Sequence, residues 1–562
     1  MSDKKIGAVL IVGGGIGGMQ AALDLVEGGF KVYLVSSSPS IGGVMSQLDK
    51  TFPTNDCSMC ILGPKMVDVA QEENIILYTY SEIESISGDA GNYEVKIREK
   101  ATYVDWDKCT GCGLCMEKCP SKKAYDEYNE GLGFTTAISI PFPQAVPKKA
   151  RINPEYCRQF IKGKCGVCAK ICPANAIDYE MQDKIVTEHV GAVILATGFD
   201  VFNARLKEEY GYGRYDNVVT SIEFERMLSA TGPYGSVVKR ASDGEIPKKI
   251  AFIQCVGSRD VNNDYCSSVC CMYATKEAII VKEHSDFVEP TIFYMDIRAF
   301  GKGFEEYYER AKKEHNIRYV RSMVSRVVQD PLTKDLIINY LDENNNLIEE
   351  NFNMVVLSVG LHPKEGSKEL AEKFGIKLNR HGFCETSEQY PVSTTKEGIY
   401  VCGVFQSPKD IPETVAQASG AACFASGIIS DQRNNLIVKS EAEIKEKDIS
   451  KEEVRIGVFV CHCGVNIGSV VNVAEVRDYA KTLPHVVYTE DNLFTCSQTY
   501  QERIKEVIKE HNLNRVVVAS CSPRTHEPLF QKTIREAGLN KYLFEMANIR
   551  DQCSWVHMHK KE

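Results

Sequence analysis

Three things are scarce or missing in this chain of 562 residues. No apolar run reaches the roughly 18 residues that a bilayer span needs, so no membrane span is expected. No basic cluster stands out and the formal net charge is −10, so nucleic acid is not an expected partner. A second glycine-rich nucleotide fingerprint is also missing. The N-terminal MSDKKIGAVLIVGGG runs straight into a candidate strand, which reads as no signal peptide. With 43% apolar and 25% charged residues, the chain is ordinary globular material of three or four domains.

What it has in excess is cysteine, with 22 residues. The absence of an export signal, the length and the spacing of many cysteines favour thiolates holding metal over disulfides. That places the chain in a reducing cytoplasm, and an oxygen-poor one suits it.

The stretch AVLIVGGGIGGMQAALDLVEGGFKVYLVSSS reads as strand, glycine turn, helix and strand. Gly13, Gly15 and Gly18 fit G-x-G-x-x-G, which lets a pyrophosphate approach the helix N-terminus. The second strand ends in Ser36 where an acid normally holds a ribose. Strand-like NYEVKIRE precedes, and KIVTEHVGAVILATG follows, an interruption of about 80 residues. The reading is a FAD-binding domain in three pieces, 1–100, 181–247 and 385–438. An inserted ferredoxin domain spans 101–180, and a second nucleotide-binding-like domain without the glycine fingerprint spans 248–384. The charged KSEAEIKEKDISKEEVR, 439–455, reads as a linker or solvated helix. A C-terminal cysteine-rich domain, 456–562, alternates strand and helix, with Ile504, Val507 and Ile508 on one helix face.

Cys109, Cys112, Cys115 and Cys119 obey C-x2-C-x2-C-x3-C-P. Cys157, Cys165, Cys168 and Cys172 form a second run with a longer first gap, again ending Cys-Pro. In two-cluster ferredoxins the fourth cysteine of each run serves the other cluster. One cubane therefore takes Cys109, Cys112, Cys115 and Cys172, and the other takes Cys157, Cys165, Cys168 and Cys119. Zinc or free thiols are the competing reading. Cys255, Cys266, Cys270 and Cys271 form a third group where a nicotinamide fingerprint would stand, read either as a cluster site or as structural or reactive thiols. Cys461, Cys463, Cys496, Cys521 and Cys553 form a fourth group, expected to converge at the carboxyl edge of an α/β sheet with one of the five left over. About four [4Fe–4S] clusters are expected in all. Cys57 and Cys60 make a C-x-x-C that fits a redox dithiol, part of a metal site or a turn near a flavin. Cys384, Cys402 and Cys423 read as ordinary buried cysteines.

Together these residues resemble the flavin-containing component of heterodisulfide reductase, known as HdrA, a family first associated with methanogens. The resemblance lies in VGGGIGGMQAALDLVEGGFKVYLV, PSIGGVMSQLDKTFPTNDCSMCILGPKMVDVA, CTGCGLCMEKCP, IPFPQAVP, QCVGSRD, YCSSVCCMYATK and PKDIPETVAQASGAA, most of residues 1 to 435. It implies an α/β, thioredoxin-reductase-like flavoprotein with two dinucleotide-binding domains, in which the nicotinamide site is lost. FAD would be bordered by Gly42, Gly43, Gly198 and Gly403, with Gln417 and Ala418 opening a helix toward the isoalloxazine and Lys50 as the candidate catalytic residue. Val404 stands where the usual pattern has an acid. RIGVFVCHCGVNIGSVVNV through YLFEMANIRDQCSWVH resembles the domain found at the N-terminus of that family, here placed last. Either a second half lies on another chain, or the domain serves a neighbouring subunit. The implied role is electron bifurcation or confurcation by one component of an oxidoreductase complex. Its partners would be other heterodisulfide-reductase-like subunits, ferredoxin, and a hydrogenase, formate dehydrogenase or NADH-oxidising module. A non-bifurcating electron relay, a stand-alone NAD(P)H-dependent disulfide reductase and an assembly scaffold are the alternatives.

Overall fold

The computed structural model describes residues 5–438 and 445–558. They form two compact units. The first contains the N-terminal stretch up to Met59, Glu72–Pro141 and Lys149–Ile437. The second contains Cys60–Gln71, Phe142–Lys148 and the chain from Val438 onward.

The first unit is built on two parallel sheets. One has the strand order Ile399–Val401, Ala192–Leu195, Ala8–Val12, Lys31–Ser36 and Ile75–Thr79. Its central strands are continuous apolar runs because both faces are covered. Ser81–Asp89, Asn92–Glu99 and Lys184–Val190 make an antiparallel meander beside it. Glu99 pairs with Lys184, so the residues flanking the insert are ladder partners. The insert leaves and rejoins the meander at one point, and the ladder remains unbroken.

The other sheet runs Val218–Thr220, Met354–Val359, Lys249–Val256, Glu289–Tyr294 and Arg318–Arg321. This moves both expected boundaries of the second domain. Val218–Thr220 pairs with Met354–Val359, so the chain enters that domain well before residue 248. The three-residue strand carries too little apolar pattern to announce itself. At the other end, Ala371, Phe374 and Cys384 pack with Leu10, Val193 and Val401 of the first sheet, so the stretch leading to 384 belongs there. Phe199–Val201 and Leu361–Pro363 pair antiparallel as the two crossing strands.

Inside the insert, Gly113 and Gly166 are left-handed caps that start the short helices Leu114–Glu117 and Val167–Ile171. Its small core gathers Val104, Ile138, Ile152 and Ala176 with Cys119, Cys157 and Cys168.

The second unit carries a four-stranded parallel sheet, in order Val486–Asn492, Ile456–Cys461, Arg515–Ser520 and Phe544–Asn548. Ile504, Val507 and Ile508 face its core, as their spacing implies. Of the charged segment 439–455, residues 439–444 lie outside the described residues, as do residues 1–4 at the N-terminus. Residues 445–455 contain no helix. No described helix is long and apolar enough to cross a membrane.

Helix Ile411–Ile428 is started by a capping box, in which Asp410 accepts from the Glu413 N–H and Glu413 accepts from the Asp410 N–H. Asp410→Ala is expected to lower stability by about 1 kcal/mol. The shift in the chemical denaturation midpoint of the first unit measures it.

Candidate functional site

Strand Ala8–Val12 ends at Gly13, whose φ is +122°. A Cβ there would lie 2.1 Å from the Ala196 carbonyl oxygen, so only glycine fits. A Cβ on Gly18 would strike the Gly13 oxygen at 1.9 Å, which keeps the helix tight on the turn. Gly15 differs: a Cβ there meets nothing within 4 Å. Gly15 is the N-cap of helix Ile16–Glu27, with no side-chain cap and no acid in the first turn. The open N–H groups are therefore available to an anion. The Gly42 N–H donates to the Gly14 oxygen at 2.8 Å, and Gly43 lies against Gly15. Ser36 is buried beside Gly14. The Thr197 hydroxyl, next to Gly198, is buried with no partner. An open helix end and an orphaned hydroxyl beside one glycine turn fit a dinucleotide such as FAD.

Gln417 and Ala418 do not open a helix. The capping box at Asp410 starts it earlier, so Gln417 sits in its interior and Ala418 is fully buried. Gln417 acts through its side chain instead, with Oε1 accepting from the Gly403 N–H at 2.8 Å. Lys409, in the stretch PKDIPETVAQASGAA, donates to the Gly403 carbonyl at 3.0 Å. Burial holds its ammonium down to about 8. Cys384 and Cys402 are buried as expected, but Cys423 is exposed, because that helix buries Thr414, Ala418, Ala421, Ala422 and Ala425.

Lys50 is not a surface lysine. Its side chain is 11% exposed and lies 3.8 Å from Asp49. Around its backbone is a buried charge group that sequence reasoning does not single out. Lys276 Nζ donates to the Lys50 carbonyl at 3.0 Å and pairs with Glu225. Glu225 Oε2 accepts from the Asp49 N–H at 2.9 Å. Burial first, and then Glu225, push the neighbouring Glu277 carboxyl well above the usual range.

In the insert, Cys119, Cys157, Cys165 and Cys168 line one cavity together with Pro120, Val167 and Tyr179. Cys115 lies in the field of Cys109 and Cys112, and burial pushes its thiol up to about 11. Cys172 accepts from the Ala176 N–H at 3.4 Å. In the second domain, Cys255 stands near the end of strand Lys249–Val256, while Cys270 and Cys271 begin helix Cys270–His284. Cys270 is flanked by Cys271, Cys255 and Cys266, and burial raises both its thiol and that of Cys271. Strand end and helix start are where a nicotinamide nucleotide would place its phosphates.

In the second unit, Cys461 ends its strand and Cys521 follows the next one. Hydrogen bonds from Cys463 and then Thr495 pull the Cys461 thiol down to about 6, against the effect of burial. Cys521 Sγ lies 3.4 Å from His526 Nδ1. Cys496 packs against the apolar core, and Cys553 lies in the turn Arg550–Ser554. Among the described residues, no three or more His, Cys, Asp or Glu side chains converge on a site for one metal ion. A cubane does not require that, since each thiolate binds its own iron.

Comparison with known proteins gives three family matches: FAD dependent oxidoreductase at residues 8–59, 4Fe-4S binding domain at 102–122, and pyridine nucleotide-disulphide oxidoreductase at 268–422. FAD and [4Fe–4S] are thus the cofactors of this chain. It is 47% identical over 460 residues to the HdrA component of the H(2):CoB-CoM heterodisulfide,ferredoxin reductase of Methanothermobacter thermautotrophicus, covering 80% of this chain and 67% of that protein. It is 51% identical over 421 residues to an HdrA iron-sulfur component of the CoB--CoM heterodisulfide reductase of Methanopyrus kandleri, covering 74% and 63%. With the HdrA-like heterodisulfide reductase protein of Archaeoglobus profundus the identity is 41% over 485 residues, covering 79% and 68%. The chain spans about two thirds of the length of these relatives. It is also similar to the thioredoxin reductases of T. acidophilum and Lactococcus lactis, at 14% and 15% identity. These cover 75% of this chain and 97% and 99% of theirs, each with a TM-score of 0.42.

Two outcomes are expected. Gly15→Ala, which meets no protein atom, should leave the stability of the flavin-free chain within about 1 kcal/mol, yet cut flavin retention on gel filtration at least tenfold. Second, the folded pKa of Lys409 lies below the unfolded value of about 10.4. The unfolded state therefore binds more protons between the two values, and stability rises with pH across that window. Lys409→Met should flatten the rise in melting temperature between about pH 8 and 10.

Proposed function

The chain belongs to the HdrA family of heterodisulfide reductase components, and we propose that it bifurcates or confurcates electrons between a two-electron donor, ferredoxin and an acceptor of higher potential. FAD supplies the exchange between an electron pair and single electrons. The observation that carries this reading is the placement of Cys255, Cys266, Cys270 and Cys271. They stand at the strand end and helix start that a nicotinamide nucleotide needs, which supports single-electron clusters in place of hydride docking.

The residues of this chain would divide the work as follows. Gly13, Gly15 and Gly18 bind the pyrophosphate, with Ser36 at the ribose and Gly42, Gly43, Gly198 and Gly403 along the cofactor. Lys50 is the candidate catalytic residue, and the buried Lys276–Glu225 pair holds its backbone in place. The insert carries two cubanes, the second domain a third, and the C-terminal domain a fourth. Relatives whose names include ferredoxin along with H(2), formate or F(420)H(2) support ferredoxin as a partner, together with a hydrogenase or formate dehydrogenase module; an NADH-oxidising module is the third candidate donor. The proposed setting is an anaerobic cytoplasm.

A spectroelectrochemical titration of the anaerobic holoprotein tests the reading. Bifurcation requires crossed one-electron flavin couples, so no half-reduced flavin accumulates. Couples in normal order would leave a simple relay, and bleaching by NADH alone would indicate a disulfide reductase. The same preparation should contain about 16 iron atoms per chain. About half that number would confine the clusters to the insert.

A further inference from the structure

We propose that Cys60 is a thiolate ligand of the [4Fe–4S] cluster at the carboxyl edge of the C-terminal sheet. It joins Cys461 and Cys521 there, with the fourth ligand drawn from Cys463 and Cys496. The inference rests on the reading that this domain carries a cluster. It adds a ligand from a remote part of the sequence.

Cys60 stands in the N-terminal stretch, yet the segment Cys60–Gln71 belongs to the compact unit that contains the C-terminal sheet. Its side chain is buried. Arg550, 490 positions later, donates from Nη1 to Cys60 Sγ at 3.2 Å. Arg550 is itself only 4% exposed, and its guanidinium lies over the Trp555 ring. A buried guanidinium is stable only where negative charge surrounds it. Asp551 supplies one carboxylate, at 2.7 Å from Nε, but that carboxylate is partly exposed. The other groups whose charge bears on Arg550 are Cys60 and Cys521, from opposite ends of the sequence. One buried guanidinium thus brings together sulfurs from two ends of the sequence.

A second set of atoms points to the same place. Cys461 is in register with Asn492, and Ser520 immediately precedes Cys521, so these residues share the carboxyl edge of the sheet. Asn492, Ser520 and Ser554 are 3%, 1% and 0% exposed, and their side-chain polar atoms have no hydrogen-bond partner. Buried polar groups in native proteins are almost always partnered. The sulfurs of a cluster accept such hydrogen bonds, and those bonds tune its potential. Thiols from three segments, a buried cation and unpartnered donors are what a buried anionic cluster requires.

The test uses the full chain, reconstituted anaerobically with iron and sulfide. Cys60→Ala, Cys521→Ala and the control Cys423→Ala are compared by iron content, by EPR of the dithionite-reduced protein and by bound flavin. Cys60→Ala and Cys521→Ala should each lose about four iron atoms and the same EPR component while keeping FAD, with the control unchanged. If Cys521→Ala loses the component and Cys60→Ala keeps it, the cluster stands and Cys60 is not its ligand. If neither loses iron, the C-terminal cluster reading fails and the inference with it. Should Cys60→Ala also lose FAD, Cys60→Ser is read instead. Altered g values of one component then support ligation, and a spectrum identical to the parent chain overturns it.

Discussion

The buried Lys276–Glu225 pair is the constraint to which the rest of the flavoprotein unit is fitted. Glu225 stands on helix Ser221–Leu228 and Lys276 on helix Cys270–His284, both packed on the second sheet. Both reach back to the Asp49–Lys50 backbone, which comes from the first dinucleotide-type domain. One ion pair therefore fixes three segments that are far apart in sequence. Breaking such a pair by removing one partner costs about 3–5 kcal/mol, because it leaves an uncompensated buried charge. The pair tolerates burial only because each partner also has a backbone contact. Glu277, which lacks one, is instead pushed toward its neutral form. The helix carrying Lys276 begins with Cys270 and Cys271, so two cysteines of the third group and the lysine that holds the Lys50 carbonyl share one helix.

The cysteine groups obey a common electrostatic rule. Thiols buried among apolar neighbours resist ionisation, as Cys115, Cys270 and Cys271 do. On the proposed reading, a metal that binds only thiolate would supply the missing stabilisation and offset the cost of burying these thiols. Where the protein helps, it does so with local donors. Cys461 is drawn down by Cys463 and Thr495, and Cys60 faces Arg550. The second domain uses a helix start, whose partial positive charge favours an anion.

Local pattern makes some of this legible, and long-range packing hides the rest. The two Cys-Pro runs and the G-x-G-x-x-G turn each carry their chemistry within one short stretch, so spacing alone reveals them. Pairing of Glu99 with Lys184 follows from two strand-like stretches flanking an obvious insert. Val218–Thr220 is too short to display a period, so the domain boundary falls earlier than the pattern suggests. The family resemblance places a helix start at Gln417 and Ala418. The decisive signal is the Asp410–Glu413 capping box upstream. Glu225 belongs to no quoted stretch, and Lys276 and Lys409 lie within stretches that carry the resemblance but have no pattern that marks them as buried. Their burial is decided by partners far away in the sequence, or, for Lys409, by how a single loop folds.

The reuse of the second sheet explains why the sequence lacks one glycine fingerprint and has four cysteines in its place. A parallel α/β sheet gathers its strand ends and helix starts at one edge whatever it binds. For a nucleotide, glycines let the backbone approach phosphate. For thiolates the side chains themselves must reach the ligand, so glycine at those positions gives way to cysteine at the strand end and in the first helical turn. The positive φ of Cys255, +61°, falls where the register of its strand shifts between Ile253 and Val256, so a side chain is carried at a bulge that glycine would tolerate more easily. The C-terminal sheet follows the same logic with Cys461 and Cys521. In both, cysteines rather than glycines stand at the carboxyl edge of a parallel sheet.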